Sequence, residues 1–162
     1  MREILLKRKS VFLLSFSIVL LDQLSKFSLI RILSDNSSIS VVPKLIHFRI
    51  VKNTGAAFSL FSGSTYILGL LSLLVSIGII SWIWKNKHLS ISRGVGLSCL
   101  LGGCIGNGLD RWRFGYVIDF IELVPIKFPI FNAADIAINI AVVCLFIETI
   151  GMQNKNNDPK KF

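Results

Sequence analysis

The chain has 162 residues, 52% of them hydrophobic, with 18 basic against 9 acidic side chains, a net charge of +9 and a mean hydropathy of +0.67. The apolar residues gather into runs close to the ~20 residues that cross a bilayer, without the charged outer face that a soluble helical bundle needs. No basic face recurs at helical spacing, so a nucleic-acid-binding domain is not expected despite the excess of Lys and Arg.

The first apolar run, about 11–33, follows Arg2, Lys7, Arg8 and Lys9. It begins like a secretory signal but continues through Asp22 and Lys26 to Ile32 with no small-residue cleavage site, so a retained membrane span is expected. Asp22 and Lys26 are four residues apart and share one helix face. A lone charge at the centre of a membrane helix costs about 2.5–3.5 kcal/mol on insertion scales. The pair therefore reads first as a clamp between helices, with direct catalysis as the lesser alternative.

Residues 34–63 form the longest segment between spans. Ser34–Ser40 is polar turn sequence; Val41-Val42 and Leu45–Val51, separated around Pro43, read as short strands of a small extracytoplasmic sheet. Asn53-Thr54-Gly55-Ala56-Ala57-Phe58 follows. Gly55 suits a tight turn or a close backbone approach, and Asn53 can donate and accept at once, holding either a peptide backbone or a carboxylate. A plain turn before a helix is the alternative.

The second span, about 64–84, ends at Trp82, Trp84 and Lys85, a headgroup-boundary pattern. The third, about 93–110, is rich in glycine; the Gly102–Gly106 spacing lets another helix approach closely. Asn107, Asp110 and Arg111 share a face at its far end, where Arg111 neutralises Asp110 or the acid caps the helix. In the second external segment, 112–129, Asp119 lies between Val117-Ile118 and Phe120-Ile121, a poor position for a solubilising charge. Pro125 and Pro129 interrupt the chain before the fourth span, about 130–150, where Asn132, Asp135 and Asn139 make one polar stripe. Residues 153–162 read as a disordered tail, leaving 1–152 as a single membrane-embedded domain.

Arg2, Lys7, Arg8, Lys9, Lys85, Lys87, Arg93, Lys155, Lys160 and Lys161 fall on one side of this four-span arrangement. The positive-inside rule then assigns both termini and the 85–93 loop to the cytoplasm, and Asn53, Asp110, Arg111, Asp119 and Asp135 to the outer face. Cys99, Cys104 and Cys144 lie in apolar helices without a CxxC pair, and read as small membrane hydrophobes. His47 and His88 belong to no HExxH or Cys/His cluster, so neither metal nor cofactor is expected.

Two carboxylates brought close together share one proton and titrate as a unit. One can act as general base on water while the other, protonated, polarises a scissile carbonyl, which gives peptide hydrolysis without metal, serine or cysteine. Local context favours Asp119 and Asp135 as that pair. The alternative is that Asp110, Asp119 and Asp135 all satisfy interhelical hydrogen bonds in an inert bundle. A small transporter would need polar residues through the full bilayer depth, and the inner halves of spans two and four are almost bare; a scaffold explains the glycines but not acids and amides gathered at one face.

Five blocks in this order resemble lipoprotein signal peptidase, the bacterial signal peptidase II family: Asp22-Gln23-Leu24-Ser25-Lys26; Asn53–Phe58; Gly102–Arg111; Gly115–Ile121; and Phe131-Asn132-Ala133-Ala134-Asp135. The resemblance implies an all-α polytopic protein of the bacterial plasma membrane, with four transmembrane helices, a small extracytoplasmic sheet and a short outer helix or loop that covers the cleft. It implies an aspartic endopeptidase, acting without metal or cofactor, that cuts diacylglyceryl-modified prolipoproteins before the lipid-bearing cysteine; a monomer is expected. By motif the catalytic pair is Asp119 and Asp135. Asn53, Gly55, Asn107, Asp110, Arg111 and Asn132 correspond to positions that shape the site or hold substrate, and Asp22 and Lys26 to a supporting polar pair.

Overall fold

The computed structural model describes residues 5–33, 37–55 and 63–156. Strand β1 (Leu5–Lys7) leads into helix α1 (Arg8–Ile32). Strands β2 (Ile39–Val42) and β3 (Ile46–Asn53) connect it to α2 (Thr65–Lys85), and β4 (His88–Ser90) leads into α3 (Ile91–Phe114). Strand β5 (Val117–Leu123) precedes α4 (Ala133–Asn156). The four expected spans coincide with the four helices; α3 runs one turn past Asp110 and α4 continues beyond 150.

Helices α1 and α2, and α4 over 133–153, are each long and apolar enough to cross a membrane. Their outward residues, among them Leu13, Phe16, Tyr66, Ile67, Val142 and Phe146, are exposed, forming an apolar coat far larger than a soluble monomer carries. Helix α3 is of similar length but is not apolar enough by composition to join them. It is the central helix, packed against α1, α2 and α4, so protein rather than lipid surrounds it. Its glycines permit this. A Cβ on Gly102 would lie 2.7 Å from Ile18 of α1, and one on Gly103 would lie 2.7 Å from the Ala134 carbonyl of α4. A Cβ on Gly108 would meet Ser72 of α2 at 3.2 Å. Gly115 ends the helix in the left-handed conformation (φ 76°), and its N–H caps the Arg111 carbonyl.

The two sheets lie at opposite ends of the bundle, because one joins the start of α1 to the α2–α3 connection and the other joins the α1–α2 and α3–α4 connections. At the terminal end β1 pairs antiparallel with β4, and Arg8 donates to the Trp84 carbonyl while its guanidinium covers the Trp84 ring. Neither strand was anticipated from the sequence. At the far end β2, β3 and β5 form an antiparallel sheet in that spatial order. Phe120 of β5 packs with Leu29 and Leu33 at the end of α1, and its ring meets Phe48 of β3 edge-on. Val41-Val42 read as a strand in the sequence and fall in β2; of Leu45–Val51, residues 46–51 fall in β3 and Leu45 lies in the turn before it; the strand at 117–123 is new. Ala56, Ala57 and Phe58 lie outside the described residues. Among the described residues no outer helix accompanies the four long ones.

Candidate active site

Asp119 and Asp135 line one cavity of about 740 Å³ at the far end of the bundle, together with Asn53, Gly55, Asn107 and Arg111. Asp110, Asn132, Asp22 and Lys26 are buried behind its wall.

Asp119 reaches the cavity through strand alternation. Its neighbours Ile118 and Phe120 point to the opposite face of β5, where both are buried, so an aspartate flanked by apolar residues can face a polar cleft. In the pairing of β3 with β5, Phe48 faces Ile121 and Val51 faces Asp119, so β3 carries one extra residue. Such bulges re-aim side chains, here bringing Asn53 onto the same face as Asp119, diagonal to it. Asn53 Nδ2 donates to Asp119 Oδ2 at 2.9 Å, and Asn53 Oδ1 accepts from the Gly55 N–H at 2.9 Å. The amide is fixed in one orientation by the turn that Gly55 makes.

Asp135 is set by the start of α4. Asn132 precedes the first helical residue, and its Oδ1 accepts from the Asp135 N–H at 2.9 Å; Asp135 Oδ2 in return accepts from the Asn132 N–H at 3.1 Å. This reciprocal pair is a capping box with an aspartate at its third position. The polar stripe expected at 132, 135 and 139 thus begins as a helix cap. The same Asn132 turns its Nδ2 to Asp119 Oδ1 at 2.6 Å, so one side chain holds both aspartates. Phe131 fixes the entry to the helix: its carbonyl accepts from the Phe120 and Ile121 N–H groups of β5.

Asn107 supports Asp135 from α3. Its Oδ1 accepts from Lys26 Nζ and from Asn132 Nδ2, each at 3.1 Å, so its Nδ2 must face Asp135 Oδ1, to which it donates at 2.8 Å. Lys26, 2% exposed, ion-pairs with Asp22 and with Asp110, both at 2.8 Å. Asp22 Oδ1 accepts from the Ala134 N–H of α4, and Asp110 Oδ2 from the Ile118 N–H of β5. Asp22 and Lys26 therefore clamp α1 to α3 and α4. The sequence suggested Arg111 or a helix end as the partner of Asp110. Lys26 fills that role instead, because the helix continues past Asp110 and Arg111 turns towards the cleft. Gln23, quoted only within its block, donates to Asp110 Oδ1 at 2.9 Å and to the Gly106 carbonyl.

Arg111 donates to the Gly55 carbonyl at 3.0 Å; its buried Nε has no partner among the described residues. Among the described residues neither Asp119 nor Asp135 forms an ion pair, and no group of His, Cys, Asp and Glu suits a metal ion. Burial raises the Asp119 carboxyl from 3.8 to about 6; the negative charge of Asp135 adds to the rise, and the Asn53 and Asn132 donors oppose it. Carboxylates oriented by neutral amides, one of them with high proton affinity, form a site suited to proton transfer at neutral pH.

Residues 14–151 match the family model described as Signal peptidase (SPase) II. The chain is 50% identical over 131 residues to the lipoprotein signal peptidase of Parasynechococcus marenigrum (strain WH8102), covering 81% of this chain and 82% of that one. It is 40% identical over 139 residues to that of Enterococcus faecalis (strain ATCC 700802 / V583), covering 86% of each. A bacterial membrane enzyme solved by the in meso method at 2.3 Å resolution shares the fold with a TM-score of 0.87 at 25% identity, over 100% of this chain and 99% of the other. A second, solved at 1.9 Å, gives 0.78 at 27% identity over 87% and 92%. With a family model spanning most of its length and relatives this similar along it, the chain belongs to the signal peptidase II family, the aspartic endopeptidases that process lipoprotein precursors.

Proposed function

We propose that Asp119 and Asp135 are the acid–base pair with which this signal peptidase II family member hydrolyses the signal peptides of diacylglyceryl-modified prolipoproteins. One observation carries the assignment: both carboxylates face a single cavity and, among the described residues, accept hydrogen bonds from amide and backbone donors, while the neighbouring Asp22 and Asp110 are ion-paired with Lys26. Asp119, raised to about 6 by burial, acts as the acid in its protonated form. It donates that proton to the scissile carbonyl oxygen as a water, deprotonated by Asp135, attacks the carbonyl carbon. The resulting gem-diol collapses when Asp135 passes its proton to the leaving nitrogen; the C–N bond breaks and a diol hydroxyl returns a proton to Asp119. No metal or cofactor is required.

A substrate helix in lipid must unwind before attack, because its amides are bonded internally. Asn53 and Arg111 stand at the cavity wall with donors for the freed carbonyls. The density of Lys and Arg at the terminal end supports cytoplasmic termini and a site at the outer face of the bacterial plasma membrane. Residues 1–152 act as one domain, as a monomer and without nucleic acid, with 153–162 as a cytoplasmic tail.

The test is cleavage of a diacylglyceryl-modified prolipoprotein by purified protein, beside the same substrate without its lipid. Cleavage of the lipidated form alone, lost in Asp119→Asn and in Asp135→Asn with membrane insertion intact, is expected. Retained turnover in either variant, or its restoration by a divalent metal, would point to another mechanism.

A further inference from the structure

Asn139 lines the same cavity four residues after Asp135, about 6 Å further along α4 towards the membrane interior. It is exposed, and its neighbours on the same face, Ile136 and Val143, are exposed and apolar. Its Nδ2 donates to the Asp135 carbonyl at 2.9 Å. Among the described residues its Oδ1 has no partner. An acceptor left bare at membrane depth is costly, and asparagine is a poorer helix former than the leucine that would suit lipid. The bond to Asp135 adds a second donor to a carbonyl already used by the helix, so packing gives no return for the amide. A polar group in such a place marks a substrate path.

We infer that Asn139 Oδ1 accepts a backbone N–H from the substrate on the signal-peptide side of the scissile bond. This rests on the assignment of Asp119 and Asp135 above. The signal peptide lies in the bilayer with its cleaved end at the outer face, so the residues before the cut lie deeper than the aspartates. Unwinding there frees N–H groups that lipid cannot satisfy. Asn139 stands at that depth, beside Ile130 and Ile138, which form an apolar wall for the side chains.

The experiment uses lipidated substrates in which an ester replaces, one at a time, each backbone amide of the four residues before the cut. Each ester removes one N–H. With the unaltered enzyme one such substrate is expected to lose about tenfold in kcat/KM, the scale of one hydrogen bond. Asn139→Leu should cut the all-amide substrate about tenfold more slowly and be indifferent to that same ester. Asn139→Leu activity equal to the unaltered enzyme, or a loss that every ester deepens further, overturns the inference. The Asp119→Asn and Asp135→Asn assays are read separately, so failure of the acid–base assignment is distinguishable from failure of this one.

Discussion

Four aspartates occupy the same end of the bundle and are treated in two ways. Asp22 and Asp110 each lie 2.8 Å from the ammonium of Lys26 and do not line the cavity. Asp119 and Asp135 open onto the cavity and are held by Asn53, Asn132 and Asn107. A cation partner locks a carboxylate into an ion pair, whereas a neutral amide orients it without pairing its charge. The first pair fastens helices and the second faces the cleft. The two pairs are also connected, because Lys26 fixes the Asn107 amide that orients Asp135.

Neutralising one member of each pair should separate their roles most clearly. Asp119→Asn or Asp135→Asn should lower kcat by about 10³-fold or more with an unchanged melting temperature in detergent, since the proton-transferring group is lost. Asp110→Asn should instead lower the melting temperature. Equal thermal losses in all three would erase the distinction. Next in size is Lys26→Met, which leaves two buried carboxylates uncompensated; an unfolding free energy lower by about 3–5 kcal/mol is expected from denaturant titration in micelles.

Gly103→Ala probes the packing beneath both pairs. The new methyl would meet the backbone carbonyl of Ala134 at 2.7 Å and Ile138 at 2.6 Å, forcing α4 away from α3. A loss of about 1–3 kcal/mol in stability should accompany reduced turnover, because α4 carries Asp135. Gly78→Ala, whose methyl meets nothing within 4 Å, serves as the neutral control.

The smallest effect sharpens the proton assignment. With Asp119 at about 6 and acting in its protonated form, kcat/KM should fall about tenfold per pH unit above that value. Asn53 donates to the ionised carboxylate and so holds the value down. Asn53→Ala should raise it further, moving the alkaline limb to higher pH by up to about one unit while lowering turnover more than stability. A limb that moves to lower pH, or turnover that rises with pH through 6, would assign the proton to the other aspartate.

Much of this was legible in the chain itself. Long apolar runs fix membrane helices because lipid leaves backbone groups no other partners, and glycines in the third run announced close helix contacts. The blocks at 22–26, 53–58, 102–111, 115–121 and 131–135 carried the family. Strand β5 escaped notice because its apolar residues resemble a loop leading into a span, and it becomes a strand only by pairing with β3. The pairing of β1 with β4 joins residues more than eighty positions apart, beyond any local pattern.

The sequence by itself determined the membrane class, the number of helices and the identity of the polar groups, since burial cost and helical period depend on residue type alone. Only the tertiary structure decided which aspartate meets Lys26 and which meets an amide. That choice depends on α3 continuing past Asp110, on the bulge in β3 and on the cap at Asn132, which together set distances that spacing along a chain does not encode.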